Sequence, residues 1–381
     1  MITLSNADAA LKDYYLDAVN AQLSGEVSPF FNAIEKTTEN VFGKDVKILV
    51  SRGSMDGVVA GKEDGDLPAP HSNRYYGLTM PLKNIYGTIE ISDKAIRASE
   101  NSAGAFVNLL NAEMEGLVAG AKANFARMLY SDGSGYLCTV SSGSGTTYTV
   151  DSVKSYFKGL KVVCDGHESD VVTIDDVNPS SNTIKFKETK SYTLSYGTKI
   201  RLAGAADNEL TGLEALFDDS SAKLYGYDRS SDSFFRPCIR RFDDDVSETD
   251  VIDMIDYLEE LSDGKVNMIL CSHKMRRKLA ELMSTSRRIV NTSEINAGYS
   301  SVIINDVPVF ADKYCPEDRI YFVNTNDFVL NQLCDWSWLE DEGGRVLKQV
   351  AGKAAYTATL VKYAELVCKK PYAQGLIKIE R

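Results

Sequence analysis

Between Ser102 and Ser131 apolar residues return every three to four positions. Phe106, Leu109, Leu110, Met114, Leu117, Val118, Ala121, Phe125 and Met128 form one stripe, which predicts a long amphipathic helix of roughly 45 Å. Asn101 or Ser102 can cap its start, and Gly133 follows its end. The opposite face is not charged, as a solvated face would be, but carries Ala112, Gly116, Ala119 and Ala123. Gly116 and Gly120 each cost about 1 kcal/mol relative to alanine inside a helix. Close approach of a neighbouring backbone would offset that cost, so this face is expected to lie against a near neighbour.

Strict alternation marks the strands. Val46, Ile48 and Val50 share one face of "VKILVS", and Ile85, Gly87, Ile89 and Ile91 share one face of "NIYGTIEIS". The stretch between them holds Gly53, Gly57, Gly61 and Gly65, then Pro68 and Pro70. A coreless loop of roughly 20 residues is uncommon inside a compact domain. The expectation is an extended hairpin that lies on another subunit, with Arg52, Lys62, Asp64, Asp66 and Arg74 as its contact candidates. Near the C-terminus, Ala355 to Cys368 alternates over 14 positions, Tyr356, Ala358, Leu360, Ala364 and Leu366 on one face. At ~3.3 Å per residue such a strand also spans roughly 45 Å and can lie along the helix. A thin, elongated α+β plate of this kind suits tiling better than enclosing a pocket.

Other segments follow from turn signals. Leu11, Tyr14, Tyr15, Ala18 and Leu23 give the first 42 residues an amphipathic arm, which Pro29 ends. From about residue 134 the chain turns rich in Gly, Ser and Thr, then "LKVVCD", "DVVTIDDV", "NTIKFKE" and "TKIRLAG" predict short strands of an inserted all-β module, a barrel or a sandwich. A mixed α/β region comes next. Ser247 with Asp250 caps a helix whose inner face is Val251, Ile255, Leu258 and Leu261, with Gly264 as its stop. Strand "VNMILC" leads into helix "HKMRRKLAELMS", and "SVIINDVPVFAD" predicts a hairpin turning at Asn305 and Asp306 before strand "DRIYFVN".

Composition narrows the function. Forty-two Lys and Arg against 54 Asp and Glu leave a net charge of −12, which disfavours a nucleic-acid binder. The basic stretch 273–288 is read as a solvated helix face. No apolar run is long enough to cross a membrane, and the N-terminus lacks the basic and apolar regions of a secretory signal. Seven cysteines without a C-x-x-C pair predict reduced thiols rather than disulfides or a zinc site.

Candidate chemistry is sparse. His71, His167 and His273 have no second ligand at metal-binding spacing. Residues 57–64 depart from a phosphate loop in spacing and end in Glu63 where a hydroxyl should bind magnesium. Ser272, between a strand and a helix, lacks the glycines of a nucleophile elbow and reads as a helix cap. Asp218–Asp219 and Asp243–Asp245 read as solvated loops. The barrel-like module offers Tyr148, Tyr156, Tyr192 and Tyr196 for a glycan but no paired carboxylates for hydrolysis. No catalytic residue, cofactor or metal site is expected, and the protein reads as a non-enzyme.

The order of these pieces resembles the tailed-phage major capsid proteins with the Hong Kong 97-type fold. Residues 82–135, "LKNIYGTIEISDKAIRASENSAGAFVNLLNAEMEGLVAGAKANFARMLYSDGSG", resemble the return strand and spine helix of capsid proteins from Firmicutes-type phages. "AADNELTGLEALFDD" and "YGYDRSSDSFFRP" resemble the re-entry from an inserted β module, and "INDVPVFADKYCPEDRIYFVNTNDF" resembles the apical hairpin. The resemblance implies an N-terminal arm (1–42), an extended loop (43–94) and a peripheral domain (95–132 with 336–381). It further implies a β insertion domain (133–207) and an apical domain (208–335). Across the small-residue face, chain segments of neighbours such as the N-terminal arm would cross closely.

The implied function is a structural shell protein that self-assembles into hexamers and pentamers of an icosahedral or prolate head. The implied location is the virion, with assembly in the host cytoplasm. Implied partners are a separate scaffolding protein or none, a decoration protein, a portal at one vertex, and packaged double-stranded DNA bound without sequence specificity. Because the hairpin begins near residue 44, the resemblance leads us to expect no scaffolding segment of about 100 residues ahead of it, and Lys62 is the candidate for the lysine that some members of the family cross-link. An encapsulin-type compartment shell is the alternative, which the inserted module and chain length disfavour.

Overall fold

A computed structural model describes residues 28–52, 58, 60, 62–63, 72–94, 103–243, 246–261, 265–285, 302–342 and 344–380, with backbone alone at 103–112, 261 and 283–285. The architecture is α+β with three hydrophobic clusters. The N-terminal residues 1–27, the cap residues Asn101 and Ser102, His71 and Gly264 lie outside the described residues.

The long helix runs Ala103–Met128, roughly 39 Å. It stops earlier than the periodicity predicts because Tyr130 and Ser131 donate to the carbonyls of Arg127 and Met128, tightening the last turn. Gly133 then turns the chain at φ +88°. Of the predicted stripe, Met114, Val118, Phe125 and Met128 are buried, and Leu117 and Ala121 pack against the same core.

That core rests on a five-stranded sheet. Ala355–Cys368 is its spine, antiparallel to Lys83–Ser92 on one side and to Phe328–Trp338 and Lys348–Gln349 on the other. Glu35–Thr37 adds a parallel edge to Phe328–Trp338. The helix lies over Lys83–Ser92 so closely that a Cβ on Gly87 would sit 2.6 Å from Leu117 Cδ1. Glycine at this strand position therefore sets the helix-to-sheet distance.

The hairpin differs from its sequence reading. Asp45–Ser51 pairs with Tyr75–Pro81, not with "NIYGTIEIS", which joins the five-stranded sheet instead. Tyr76, Leu78 and Met80 supply the alternation that makes "YYGLTMP" the return strand. The hairpin stem also packs on its own chain. Tyr76 stacks on Phe234 at 4.7 Å and meets Phe235 and Tyr227 edge-on, while its hydroxyl donates to Asp232 at 2.6 Å. Burial of these rings and of Val46, Ile48 and Val50 holds the stem down without a neighbour.

A six-stranded mixed sheet forms the second layer, in the order Cys238–Phe242, Gly375–Ile379, Arg319–Val323, Met268–Cys271, Val307–Ala311, Val302–Ile304. One face takes helices Glu248–Leu261 and His273–Thr285 through Ile269, Ile320, Phe322 and Ile377, and the other joins the main core through Leu270, Tyr321 and Leu376. Segment 336–381 is thus divided between two sheets, its last strand entering the six-stranded one. Ser247 and Asp250 cap the first helix reciprocally, Ser247 N donating to Asp250 Oδ2 at 2.9 Å and Asp250 N to Ser247 Oγ at 3.3 Å. Asn305 and Asp306 turn their hairpin at φ +49° and +65°.

The inserted module is a closed barrel. Its strands run around as Thr183–Phe186, Thr147–Val150, Tyr136–Ser144, Lys199–Leu202, Lys161–Cys164 and His167–Asn178. Val140, Tyr148, Val162, Ile174, Ile184 and Ile200 fill it. Gly135 and Ala205, where the chain enters and leaves, touch so closely that a Cβ on Gly135 would lie 2.8 Å from Ala205 O. Re-entry is fixed at Gly212, whose Cβ would sit 2.5–2.7 Å from the carbonyl oxygens of Met128, Ser131 and Leu129.

Candidate subunit interface

Among the described residues nothing covers the small-residue face of the long helix. Gly116, Ala119 and Gly120 are exposed and Ala123 is half-buried. Among the described residues no atom comes within 4 Å of a Cβ built on Gly116 or Gly120. The near neighbour expected across this face is therefore absent from the described parts of the same chain. The side chain of Ala112 lies outside the described residues.

Two grooves meet on this face. One, of about 650 Å³, runs between the helix and the barrel, with Gly116, Gly120, Tyr86, Phe157 and Trp336 in its walls. Tyr86 and Phe157 are 58% and 61% exposed, so the groove offers apolar surface to a partner. The other, of about 560 Å³, runs between the helix and the six-stranded layer, lined by Ala119, Ala123, Ala126, Pro29 and Phe310. Ala119, Ala123, Lys313 and Tyr314 belong to both, which makes the two one channel.

Its charges are mostly positive. Arg127, Lys154 and Lys313 are the charged residues lining the barrel side. Lys122, His273, Arg276 and Lys313 line the other side, with Asp312 the single carboxylate there. Asp312 receives Tyr130 Oη at 3.0 Å and Tyr314 N at 2.9 Å, and burial holds its carboxyl above the usual range. Beneath the channel Arg127 forms a buried pair with Glu209 and donates to Asn124 Oδ1 at 2.8 Å, which fixes the end of the helix to the re-entry segment. Among the described residues Arg127 Nη1 and Glu209 Oε2 find no hydrogen-bond partner.

The loop candidates lie apart from this channel. Arg52 donates to Ser233 Oγ at 3.0 Å within its own chain, while Lys62 and Arg74 are exposed. Asp64 and Asp66 lie outside the described residues. On the outer face of the hairpin Leu49 and Tyr75 are 70% and 61% exposed. Sequence reasoning missed Lys362, which sits at a core-facing position of the strand Ala355–Cys368. It donates to Asp335 Oδ1 at 2.7 Å and Gln332 Oε1 at 2.8 Å beneath Phe125 and Trp336, and burial lowers its pKa. Its partners come from another strand, so the local pattern carried no signal for the pair.

Ser272 is buried and accepts from Met275 N at 3.2 Å, as a helix cap does. His167 stacks on Tyr192 at 3.6 Å, and His273 is exposed. Among the described residues no three His, Cys, Asp or Glu side chains gather at metal-binding distance, and no helix there is long and apolar enough to cross a membrane.

No family model matches the chain, and no curated protein does. Solved structures do. The chain is similar to the capsid protein of the cyanophage A-1(L) asymmetric unit, with a TM-score of 0.56, 12% identity and 93% of each chain covered. It is also similar to the capsid of the native GTA particle, with a TM-score of 0.54, 12% identity, and 94% of this chain and 91% of that chain covered. The empty GTA capsid gives 0.52, 10% identity, and 93% and 91% coverage. The fold is that of phage-type capsid subunits, shared over 93% of the chain.

Proposed function

We propose that this protein is the major capsid protein of a tailed bacteriophage, of the Hong Kong 97 type, and that it assembles with itself into hexamers and pentamers of a head shell. The observation that carries this reading is the capsid fold over 93% of the chain, coupled to a helix face of glycine and alanine that nothing in the described chain covers. A bare Gly116–Gly120 face costs helix stability in the monomer and gains it back only when a neighbour approaches. The role is structural rather than enzymatic, and the working location is the virion shell, assembled in the host cytoplasm.

Ala112, Gly116, Ala119 and Ala123 are the contacts proposed along the helix, with Arg52, Lys62, Asp64, Asp66 and Arg74 around the loop. A separate scaffolding protein, a portal and a decoration protein complete the proposed set of partners. The net charge of −12 suits a container that does not grip the double-stranded DNA it encloses. Replacing Gly116 and Ala119 together with leucine tests the contact. Assembly, followed by negative-stain microscopy, should fail while thermal unfolding of the subunit stays within a few degrees of the parent. Normal shells from that variant would refute the contact.

A further inference from the structure

The barrel keeps a core of its own. Its buried residues, Cys138, Val140, Tyr148 and Ile200 among them, form one cluster, and among the described residues the main cluster takes none of them. Two chain crossings carry the barrel, residues 133–135 on the way in and 203–205 on the way out. On the barrel side Leu202 N donates to Gly135 O at 3.2 Å. On the other side Glu209 N donates to Gly133 O at 3.4 Å, and Gly212 is wedged against the end of the long helix. The short neck between these bonds bends at Gly135 and Gly204, with φ of +81° and +83°.

Open space flanks the neck. The groove of about 650 Å³ toward the long helix is one cleft, and a second, of about 530 Å³, separates the barrel from residues 314–319. Arg127, Leu137, Lys154, Ser155 and Tyr314 line both, so the two run together beneath the barrel. Among the described residues one ion pair crosses the second cleft. Lys154 Nζ of the barrel lies 3.3 Å from Glu317 Oε1, and Lys274 Nζ of helix His273–Thr285 lies 3.3 Å from Glu317 Oε2. The Lys154 and Glu317 side chains are 35% and 51% exposed, so their bond is a weak one. Two like charges oppose it: Asp151 of the barrel and Asp318 opposite line the same cleft. Burial holds the Asp318 carboxyl above its usual range, and Asp151 and Glu317 add to that rise against Lys378.

We propose that the barrel is a hinged cover: it pivots on its two-stranded neck, and the Lys154–Glu317–Lys274 bridge is the latch that holds it closed. Tyr156, Phe157 and Leu160 form the barrel's wall of the helix-side groove, so the width of that groove over Gly116 and Gly120 follows the barrel's position. Opening the latch widens the approach to the glycines. The consequence for assembly rests on the reading of this helix face as a subunit contact: a neighbour then reaches the face more readily when the barrel has swung away.

Paired spin labels test the hinge in the full chain, kept dilute enough to stay monomeric. One label goes on Ser180→Cys in an exposed barrel turn, the other on Glu259→Cys of helix Glu248–Leu261. Cys238 and Cys334 are replaced by serine, since the other five native cysteines are buried. Pulsed electron–electron distance measurement should give one narrow main peak. Lys154→Glu should raise the population at shifted distances by roughly fivefold, about the factor an exposed ion pair supports. Combining Lys154→Glu with Glu317→Lys should restore the narrow peak. The same narrow peak in all three proteins would overturn the hinge, and a broad distribution in all three alike would overturn the latch. Normal shells from the double leucine variant would remove the consequence for assembly and leave the distance result standing. An unmoved peak would remove the hinge and leave the shell reading intact.

Discussion

Glu365 sits toward the end of the strand Ala355–Cys368, 1% exposed, where the alternation places a polar residue between two core-facing ones. Its carboxyl accepts from Thr211 N at 2.8 Å and Leu366 N at 3.1 Å, and burial pushes its pKa up to about 7. Folding therefore favours the protonated acid. That stability is complete below the unfolded value of 4.5, is lost as pH rises toward 7, and is gone above it. Glu365→Gln keeps a neutral acceptor, so it should remove the loss, worth up to roughly 3 kcal/mol. Urea unfolding at pH 5 and pH 8 should show the variant gaining on the parent at the higher pH; parallel behaviour at both would contradict the buried acid. Lys362 and Glu365 share a reason for being hidden in the sequence. The period of two places both on the strand correctly, but Asp335, Gln332 and Thr211 arrive from segments with no local tie to it. By contrast, Gly133 and Ser272 were legible because a helix stop and a helix cap are local events.

Elements with one strong period were read well, and elements that needed a partner were not. The strand Ala355–Cys368 was legible from its alternation although Lys362 breaks the apolar face, and short strands between turn signals marked the module as a barrel or a sandwich, of which the structure shows the closed barrel. Tyr75–Pro81 was missed because Gly77 and Pro81 mask an alternation of only three apolar residues. The hairpin's seat on its own chain was missed for a different reason. It depends on the aromatic cluster at Tyr227, Phe234 and Phe235, more than 140 residues away. Tyr76→Ala should cost about 3 kcal/mol and speed amide exchange at 45–51 and 75–81, leaving the barrel strands protected. Unchanged exchange in the hairpin would mean that other contacts hold it. Gly212→Ala would drive a methyl into three carbonyl oxygens at the end of the long helix. It should destabilise the chain by more than about 3 kcal/mol in thermal or urea unfolding.

At the scale of the whole molecule, three clusters divide the work. The main core ties the helix to both sheets, a second lies under helices Glu248–Leu261 and His273–Thr285, and the third fills the barrel. What the sequence could not place is the relation of these clusters: one side of the helix meets its sheet, and the other faces the channel between the barrel and the six-stranded layer. The bare glycines of that channel make sense in an assembly and are a cost in a monomer. The measurement that bears most directly on this is microscopy of the protein expressed alone, combined with size-exclusion chromatography across a wide concentration range and under crowding. Closed shells or capsomer-sized rings are the predicted result. A monodisperse monomer under every condition would contradict the account.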